Sequence, residues 1–439
     1  MRHNGPMRSV RIGLLGCGTV GGGVVRLIAE NAAANAARVG APVEIGPVLV
    51  RDPGKERVPE LDRARLTTRP EDVIDAPDVD VVVEVMGGLS PTRGYVERAI
   101  ELGRQVVTAN KMLLAMHGPA LVAAASARGV DLAFEASVGG GIPIVRVLRD
   151  SFASDVIEEV VGIVNGTSNY VLTRMLKDGL TFEAALADAQ AKGYAEADPT
   201  LDVDGFDAAH KLSVLAMLAF GGYVHPDAIP TSGLRAIERA DHEYAARFGY
   251  VIKSLAIGRV VGDRVDLRVH PTLVRRESTL ASVVGVSHAV LLQGRALGPC
   301  LLTGRGAGDL PTAVSVVADV LDVARAKVSG QTGLLTKSLR TGQKPTLPIG
   351  DVVGRAYLRF SVYDRPGVLA RITGALGDAR VSIGELVQDG GGDADGSPVD
   401  VVMLTHAARE ADLTRALAAI EAGADVARPP KMLRVLGER

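Results

Sequence analysis

The stretch Val10–Gly21, VRIGLLGCGTVG, decides the fold. A short apolar run leads directly into glycines spaced G-x-G-x-x-G, and GGGVVRLIAENAAANAA continues with helical spacing and many alanines. A strand that turns sharply into a helix needs Gly16 for the turn. Gly18 would let a backbone approach a pyrophosphate, and Gly21 would let the helix pack closely. The helix start, with Thr19 and Val20, then offers free N–H groups to phosphate oxygens. Alone, the match also describes a merely tight strand-to-helix turn. At the head of a βαβ series it points to a dinucleotide.

That series follows. VEIGPVLV, DVVVEVM (Asp80 to Met86), QVVTAN (Gln105 to Asn110) and VDLAFEA (Val130 to Ala136) read as strands. Helix-like segments lie around Tyr95 to Leu102 and Met112 to Ala127. Apolar strands alternating with helices imply a parallel sheet covered on both faces, a Rossmann-type doubly wound α/β domain. The end of the second strand bears on the cofactor, because an acid there suits the ribose hydroxyl of NAD and an arginine suits the 2′-phosphate of NADP. Here VLV is followed by Arg51, Asp52, Lys55 and Arg57. The fork of Arg51, helped by Lys55, favours NADP; Asp52 leaves NAD open.

After the sheet the pattern changes. IEEVVGIVN reads as a strand, several helices run to about Gly249, and VIKSLAIGRVV, RVDLRVHPTLV and HAVLLQG read as extended. Such segregation suggests an α+β domain. The helix-like PTAVSVVADVLDVARAK comes next, then the linker-like 331–353, then a compact βαβ-type module with the segments YLRFSVYD, GVLARITGALGDA, VSIGELVQD, VDVVMLTHA and DLTRALAAIEA. The expected domains are 1–140 with about 305–330 for the dinucleotide, 141–304 for substrate and dimerisation, and 354–439 at the C-terminus.

Composition narrows the function classes. With 439 residues and 47% apolar content, the chain exceeds one ordinary core. A net charge of -2 with interspersed signs offers no tract for nucleic acid or a membrane surface. Neither a membrane span nor a signal peptide is visible, and two cysteines, Cys17 and Cys300, make no disulfide framework or metal cluster. A reducing cytoplasm fits best.

Two lysines draw attention. Lys111, in VTANKML, follows a strand at the edge where open parallel sheets bind ligands. It either reaches a nicotinamide and substrate or is a solvated lysine opening a helix. The second lies in GYAEADPTLDVDGFDAAHKL (193–212), where Glu196, Asp198, Asp202, Asp204 and Asp207 crowd against an apolar helix with Lys211. Asp204 as an N-cap, with Asp202 near the dipole, explains part of this charge. Asp207 and Lys211 share a face at i and i+4 of a helix that looks buried. A pocket with carboxylates and one lysine suits an amino-acid ligand, the carboxylates holding its ammonium and the lysine protonating a developing oxyanion.

GCGTVG, VTANKML, FEASVGGGIP, VNGTSNYVL, GYAEADPTLDVDGFDAAHKL and GRGAGDLPTAVSVVAD stand in the order seen in homoserine dehydrogenases, which the chain resembles from about Val10 to Lys327. YLRFSVYDRPGVLARI resembles ACT domains, ferredoxin-like regulatory modules. The resemblance implies reversible NAD(P)H-dependent reduction of L-aspartate 4-semialdehyde to L-homoserine, in threonine, methionine and isoleucine biosynthesis. It makes Lys211 the proton donor, directly or through water, and places Lys111 beside the nicotinamide. Glu196 and Asp207 become substrate contacts, Thr167 in VNGTSNYVL either touches substrate or belongs to a helix cap, and Gly306 lies near the nicotinamide. By itself FEASVGGGIP reads as a strand ending in a flexible glycine turn; the resemblance further implies a monovalent cation, usually sodium, held by the Glu135 carboxylate and the carbonyls of Val138, Gly140 and Ile142. Feedback by L-threonine is expected at Asp364, Arg365, Pro366, Gly367, Val368 and Leu369, which read alternatively as a structural tail for dimer contacts. A homodimer or homotetramer is expected.

Two other readings compete. A related semialdehyde dehydrogenase acting through a thiohemiacetal needs a positioned cysteine, and neither Cys17 in the glycine loop nor Cys300 after Gly-Pro suits that role. A nucleotide-binding amino-acid sensor without turnover would have no use for Lys111, Glu196, Asp207 and Lys211 together.

Overall fold

Residues 8–389 and 398–437 are described by the structure, a computed structural model. The GGGDADGS stretch (390–397), expected to lengthen a hairpin of the C-terminal module, lies outside the described residues. The chain divides into two compact units. The first comprises Met1–Gly166, Phe206–Ile229 and Val286–Lys344; the second comprises Thr167–Gly205, Pro230–Gly285 and Pro345–Arg439.

The first unit is built on a parallel sheet. Its strands are β1 (Val10–Leu15), β2 (Val43–Leu49), β3 (Leu66–Thr67), β4 (Val81–Glu84), β5 (Gln105–Thr108) and β6 (Leu132–Ala133), in the order β3-β2-β1-β4-β5-β6. The valine-rich runs that read as strands are buried on both faces, because helices cover both sides. The helix α1 (Thr19–Glu30) packs on the helix Asp309–Val328, and a Cβ on Gly23 would stand 2.8 Å from that of Ala313. The return helix thus belongs to the core of this sheet, contributing Ala313, Val316, Val320 and Val323.

Three antiparallel strands, Ile157–Ile163, Ser287–Gly294 and Gly298–Arg305, complete this unit with the helix Phe206–Ala219. That helix lies against the helix Lys111–Arg128, where a Cβ on Gly118 would rest 4.0 Å from Met217.

VDLAFEA keeps only Leu132–Ala133 as strand, and Glu135–Ser137 turns into a short 3-10 helix. Side chains take over the backbone there: Glu135 N donates to Asp319 Oδ2 at 2.7 Å, and Ser137 Oγ donates to the Phe134 carbonyl. The strand Gly298–Arg305 is absent from the sequence reading, since it opens with Gly-Pro-Cys and is only partly buried.

In the second unit, Tyr250–Val261 and Arg264–Arg275 form a long antiparallel hairpin. Arg264–Arg275 then pairs in parallel with Val426–Val435, the last strand of the C-terminal module. In chain order that module runs strand Ala356–Tyr363, helix Val368–Asp378, strands Ile383–Asp389 and Pro398–Thr405, helix Glu410–Glu421 and strand Val426–Val435. Its fourth strand pairs with the first, the first with the third, and the third with the second, which is ferredoxin-like topology.

One face of the module's sheet, with Leu358 and Phe360, packs under the helices through Ile372, Leu376 and Leu413. The other face places Tyr357, Val402 and Leu404 in one core with Tyr170, Leu172 and Tyr244. Polar groups reinforce this join. The fully buried Asp241 accepts from the Tyr357 hydroxyl at 3.2 Å and pairs with Arg359 at 2.9 Å and Lys431 at 2.8 Å.

Among the described residues, no helix is long and apolar enough to cross a membrane.

Candidate active site

The glycine loop has the geometry its spacing predicts. Gly16 takes φ +97°, its N–H donates to Leu49 O, and a Cβ on it would lie 3.1 Å from Val85 O. A Cβ on Gly21 would stand 2.3 Å from Gly16 O. Beside Gly18 there is open space, as a loop that receives a ligand requires.

Arg51 and Lys55 are exposed past β2. Arg57, weighed only as a neighbouring charge in the sequence, instead reaches back, donating to Cys17 O within the glycine loop and to Asp52 O at 3.1 Å. Asp52 turns its carboxylate to Gly54 N at 2.8 Å. Burial pushes the Cys17 thiol up, against use as a nucleophile.

Glu84, fully buried at the end of β4, organises the neighbouring strand end. It accepts from Met86 N, Gly87 N and the Thr108 hydroxyl. Asn110 donates to Gly88 O at 2.7 Å and caps the next helix by accepting from Leu113 N. This fixes the start of the helix whose first residue is Lys111. A short polar side chain before a lysine was the available signal for the cap. A lone glutamate inside VVVEV gave none for the anchor.

Lys111, half-exposed, pairs with Asp207 Oδ1 at 3.0 Å. Lys211 donates to Asp207 Oδ2 at 2.6 Å and to the Val164 carbonyl at 2.6 Å. Asn165 donates to the same Asp207 oxygen at 2.8 Å. Asp207 and Lys211 are only 6% and 8% exposed, so these charges meet away from bulk water. Burial by itself would raise the Asp207 carboxyl; the Lys211 and Lys111 ammoniums outweigh it and hold the group well below the ordinary carboxylate range. The cluster therefore sets two lysine ammoniums around one ionised carboxylate, an arrangement chemically suited to a developing oxyanion.

His288 belongs to this neighbourhood and was missed, since one histidine in HAVLLQG has no distinguishing spacing. Its ring lies against Gly306 so closely that a Cβ there would stand 1.7 Å from Nδ1. Burial, then Lys211, pushes the imidazole down to about 3, so it is neutral at physiological pH. Gly140, at φ +55°, abuts the same loop, with a Cβ that would stand 2.4 Å from Gly306 O.

Glu135 is buried, and its two oxygens accept from Val145 N at 2.9 Å and Arg146 N at 2.8 Å. The Gly140 carbonyl accepts from Ser315 Oγ, and that of Ile142 from Ile144 N. Each of these oxygens keeps a further lone pair, so the carboxylate and carbonyls, with Val138, are chemically suited to a hard monovalent cation.

In the second unit, Thr167 is buried and donates to Tyr194 O at 2.6 Å. Glu196 is exposed, its carbonyl accepting from Gln190 Nε2. Asp204 departs from its expected cap role: the next helix begins at Phe206, and its carboxylate takes Arg235 Nε at 2.8 Å. At the turn Asp364–Leu369, expected to take an effector, the Arg365 guanidinium stands over the Tyr363 ring at 5.3 Å. Gly367, at φ +86°, precedes the helix Val368–Asp378.

Comparison with known proteins agrees with this arrangement. The family description "Homoserine dehydrogenase" matches residues 143–321, "Homoserine dehydrogenase, NAD binding domain" matches 16–135, and "ACT domain" matches 356–422. The chain is 41% identical to a homoserine dehydrogenase of Pseudomonas aeruginosa over 435 residues, covering 98% of this chain and 99% of that one. It is 40% identical to that of Bacillus subtilis, covering 93% and 94%. A crystal structure of a homoserine dehydrogenase from Thiobacillus denitrificans superposes with a TM-score of 0.90 at 41% identity, covering 98% of both chains. A hyperthermophilic archaeal homoserine dehydrogenase in complex with NADPH shares the fold at a TM-score of 0.61 and 24% identity, covering 72% of this chain and 98% of that one.

Proposed function

Because the chain belongs to the homoserine dehydrogenase family, an oxidoreductase family, we propose that it reduces L-aspartate 4-semialdehyde to L-homoserine, reversibly. The observation that carries the reading is the buried cluster in which Asp207 binds both Lys211 and Lys111. Gly16, Gly18, Thr19, Val20 and Gly21 would hold the nicotinamide dinucleotide, and Arg51 and Lys55 would select NADP over NAD. Bound NADPH supplies the hydride.

The protein's own residues supply the rest. Lys211 donates a proton to the carbonyl oxygen as the alkoxide develops, and Asp207 keeps Lys211 charged and aimed. Lys111 adds a second positive charge beside that oxygen. Glu196 takes the substrate ammonium, with Thr167 as a further contact. Gly306, with no side chain, leaves room at the nicotinamide end. Glu135 with the carbonyls of Val138, Gly140 and Ile142 would hold sodium as a structural cation.

L-Threonine would bind the turn Asp364–Leu369 of the C-terminal module and lower turnover. A cytoplasmic homodimer or homotetramer in threonine, methionine and isoleucine biosynthesis completes the proposal.

Adding L-aspartate 4-semialdehyde to enzyme and NADPH is the direct test. Loss of NADPH absorbance with stoichiometric homoserine is expected. NADPH binding without turnover would leave the sensor reading in place.

A further inference from the structure

The loop that carries Glu196 runs from the helix Phe182–Ala191 to the short helix Thr200–Val203, within the second unit. Glu196, Ala197 and Asp198 are exposed, while Ala195 enters the core beside Tyr170 and Ala189. An exposed loop with so little packing of its own keeps a carboxylate in one place only if its ends are tied.

The ties come from the first turn of the helix Gly166–Asp178. Two consecutive hydroxyl residues there, Thr167 and Ser168, are 6% and 1% exposed. Thr167 Oγ1 donates to the Tyr194 carbonyl at 2.6 Å, just before Glu196 in the chain. Ser168 Oγ donates to the Asp202 carbonyl at 2.8 Å, at the far end of the loop. A hydroxyl has one proton to give, and in both residues it goes to the loop.

Other groups brace the same grip. The Tyr170 ring meets the Tyr194 ring edge-on at 5.0 Å, and its hydroxyl donates to Asp188 at 2.6 Å while accepting from Lys192 at 2.7 Å. Gln190 Nε2 donates to the Glu196 carbonyl at 3.0 Å. VNGTSNYVL, which its sequence leaves open between a helix cap and a substrate contact, thus gains a third reading.

We propose that Thr167 and Ser168 are positioning residues, which together fix both ends of the loop 194–202 and so aim the Glu196 carboxylate. The aim rests on the reading of Glu196 as the group that takes the substrate ammonium; the clamp is measurable without substrate. A carboxylate held ready loses less freedom when the ammonium arrives. Loosening either end therefore weakens substrate binding and leaves the hydride step nearly untouched.

Hydrogen exchange on the substrate-free, full-length protein tests the clamp. Thr167→Val and Ser168→Ala are expected to speed exchange of peptides covering 194–202 about fivefold or more. The strands Tyr250–Val261 and Arg264–Arg275 should exchange as in the parent, and Thr167→Ser, which keeps the hydroxyl, should leave the loop protected. Steady-state rates test the aim. Ser168→Ala should raise KM for L-aspartate 4-semialdehyde about fivefold or more, with kcat and KM for NADPH within about twofold of the parent. In a Glu196→Gln background the same change should add little. Loop exchange unchanged in both Thr167→Val and Ser168→Ala overturns the proposal, and so does a KM effect that keeps its full size without the Glu196 carboxylate. If Glu196→Gln alone leaves KM unaltered, the reading of Glu196 fails, while faster loop exchange still upholds the clamp and unchanged exchange overturns it.

Discussion

Asp207 and Lys211 stand one helical turn apart with oxygen and nitrogen separated by 2.6 Å, inside a largely buried and mostly apolar helix. Such a pair on an exposed helix contributes only a few tenths of a kcal/mol. Buried, it leaves a costly lone charge if either partner is removed. Stability and chemistry are therefore entangled here, and tests must separate them.

Lys211→Ala is expected to lower kcat by about a hundredfold or more while NADPH affinity stays close to that of the parent. Steady-state rates beside a fluorescence titration of NADPH measure both. An unchanged kcat would remove Lys211 from proton transfer. A collapse of NADPH affinity would instead indicate lost folding.

Two arginines near the glycine loop should behave differently. Arg51→Ala is expected to shift the ratio of kcat/KM from NADPH towards NADH. Arg57→Ala, which removes a bond to the Cys17 carbonyl, is expected to weaken both cofactors together. If both variants move the ratio alike, the division of roles fails.

Gly306→Ala places a methyl group on the His288 ring, and overpacking of this kind costs about 1–3 kcal/mol. A lower melting temperature and reduced kcat are expected. The double variant Gly306→Ala, His288→Ala should recover much of the lost stability. Equal melting of the single and double variants would show that the clash is relieved elsewhere.

Asp319 gives a pH test. Burial pushes its carboxyl up from 3.8 to about 7, with Glu135 adding to the rise and the Glu135 backbone N–H, Arg146 and Arg149 opposing it. The folded chain therefore holds this proton more tightly than the unfolded one. Its contribution is fully present below the unfolded value and is lost as pH rises through about 7. Asp319→Asn, which can still accept from Glu135 N, should raise stability relative to the parent more at about pH 8 than at about pH 5. Denaturant melts at both pH values measure this, and a difference independent of pH would contradict the assignment.

Threonine sensitivity is best tested by point changes such as Asp364→Ala and Arg365→Ala. Removing everything beyond Val353 would strip Tyr357, Val402, Leu404 and Leu433 from a core shared with Tyr170 and Tyr244. Loss of inhibition with activity retained is expected from the point variants. Inhibition that persists in both would place the effector elsewhere.

Most of the sheet was legible because its signals are local. Valine runs buried on both faces and glycines at set intervals require no knowledge of distant partners. Lys211 and Asp207 were legible for a similar reason, their spacing putting both on one face. What escaped depended on long-range contacts. Arg57 is one charge among several until its guanidinium is seen crossing to Cys17. His288 becomes distinctive only against Gly306, which arrives from the neighbouring strand. The last strand, Val426–Val435, contains Pro429 and Pro430, which argue against a strand until its pairing through irregular register is visible.

The return helix Asp309–Val328 and the segment that follows it, to Thr336, also govern the order of assembly. Glu135 N waits for Asp319, Leu132 N waits for Thr336, and the Asp131 carboxylate accepts from Gly333 and Leu335 N–H groups. During synthesis the nucleotide-binding half thus lacks one of its walls until the polypeptide has emerged well past residue 319. An amino-terminal fragment ending after β6 would leave the valines beneath that missing wall facing water. Its maturation is consequently a late event, and the growing chain needs shelter from premature association until then.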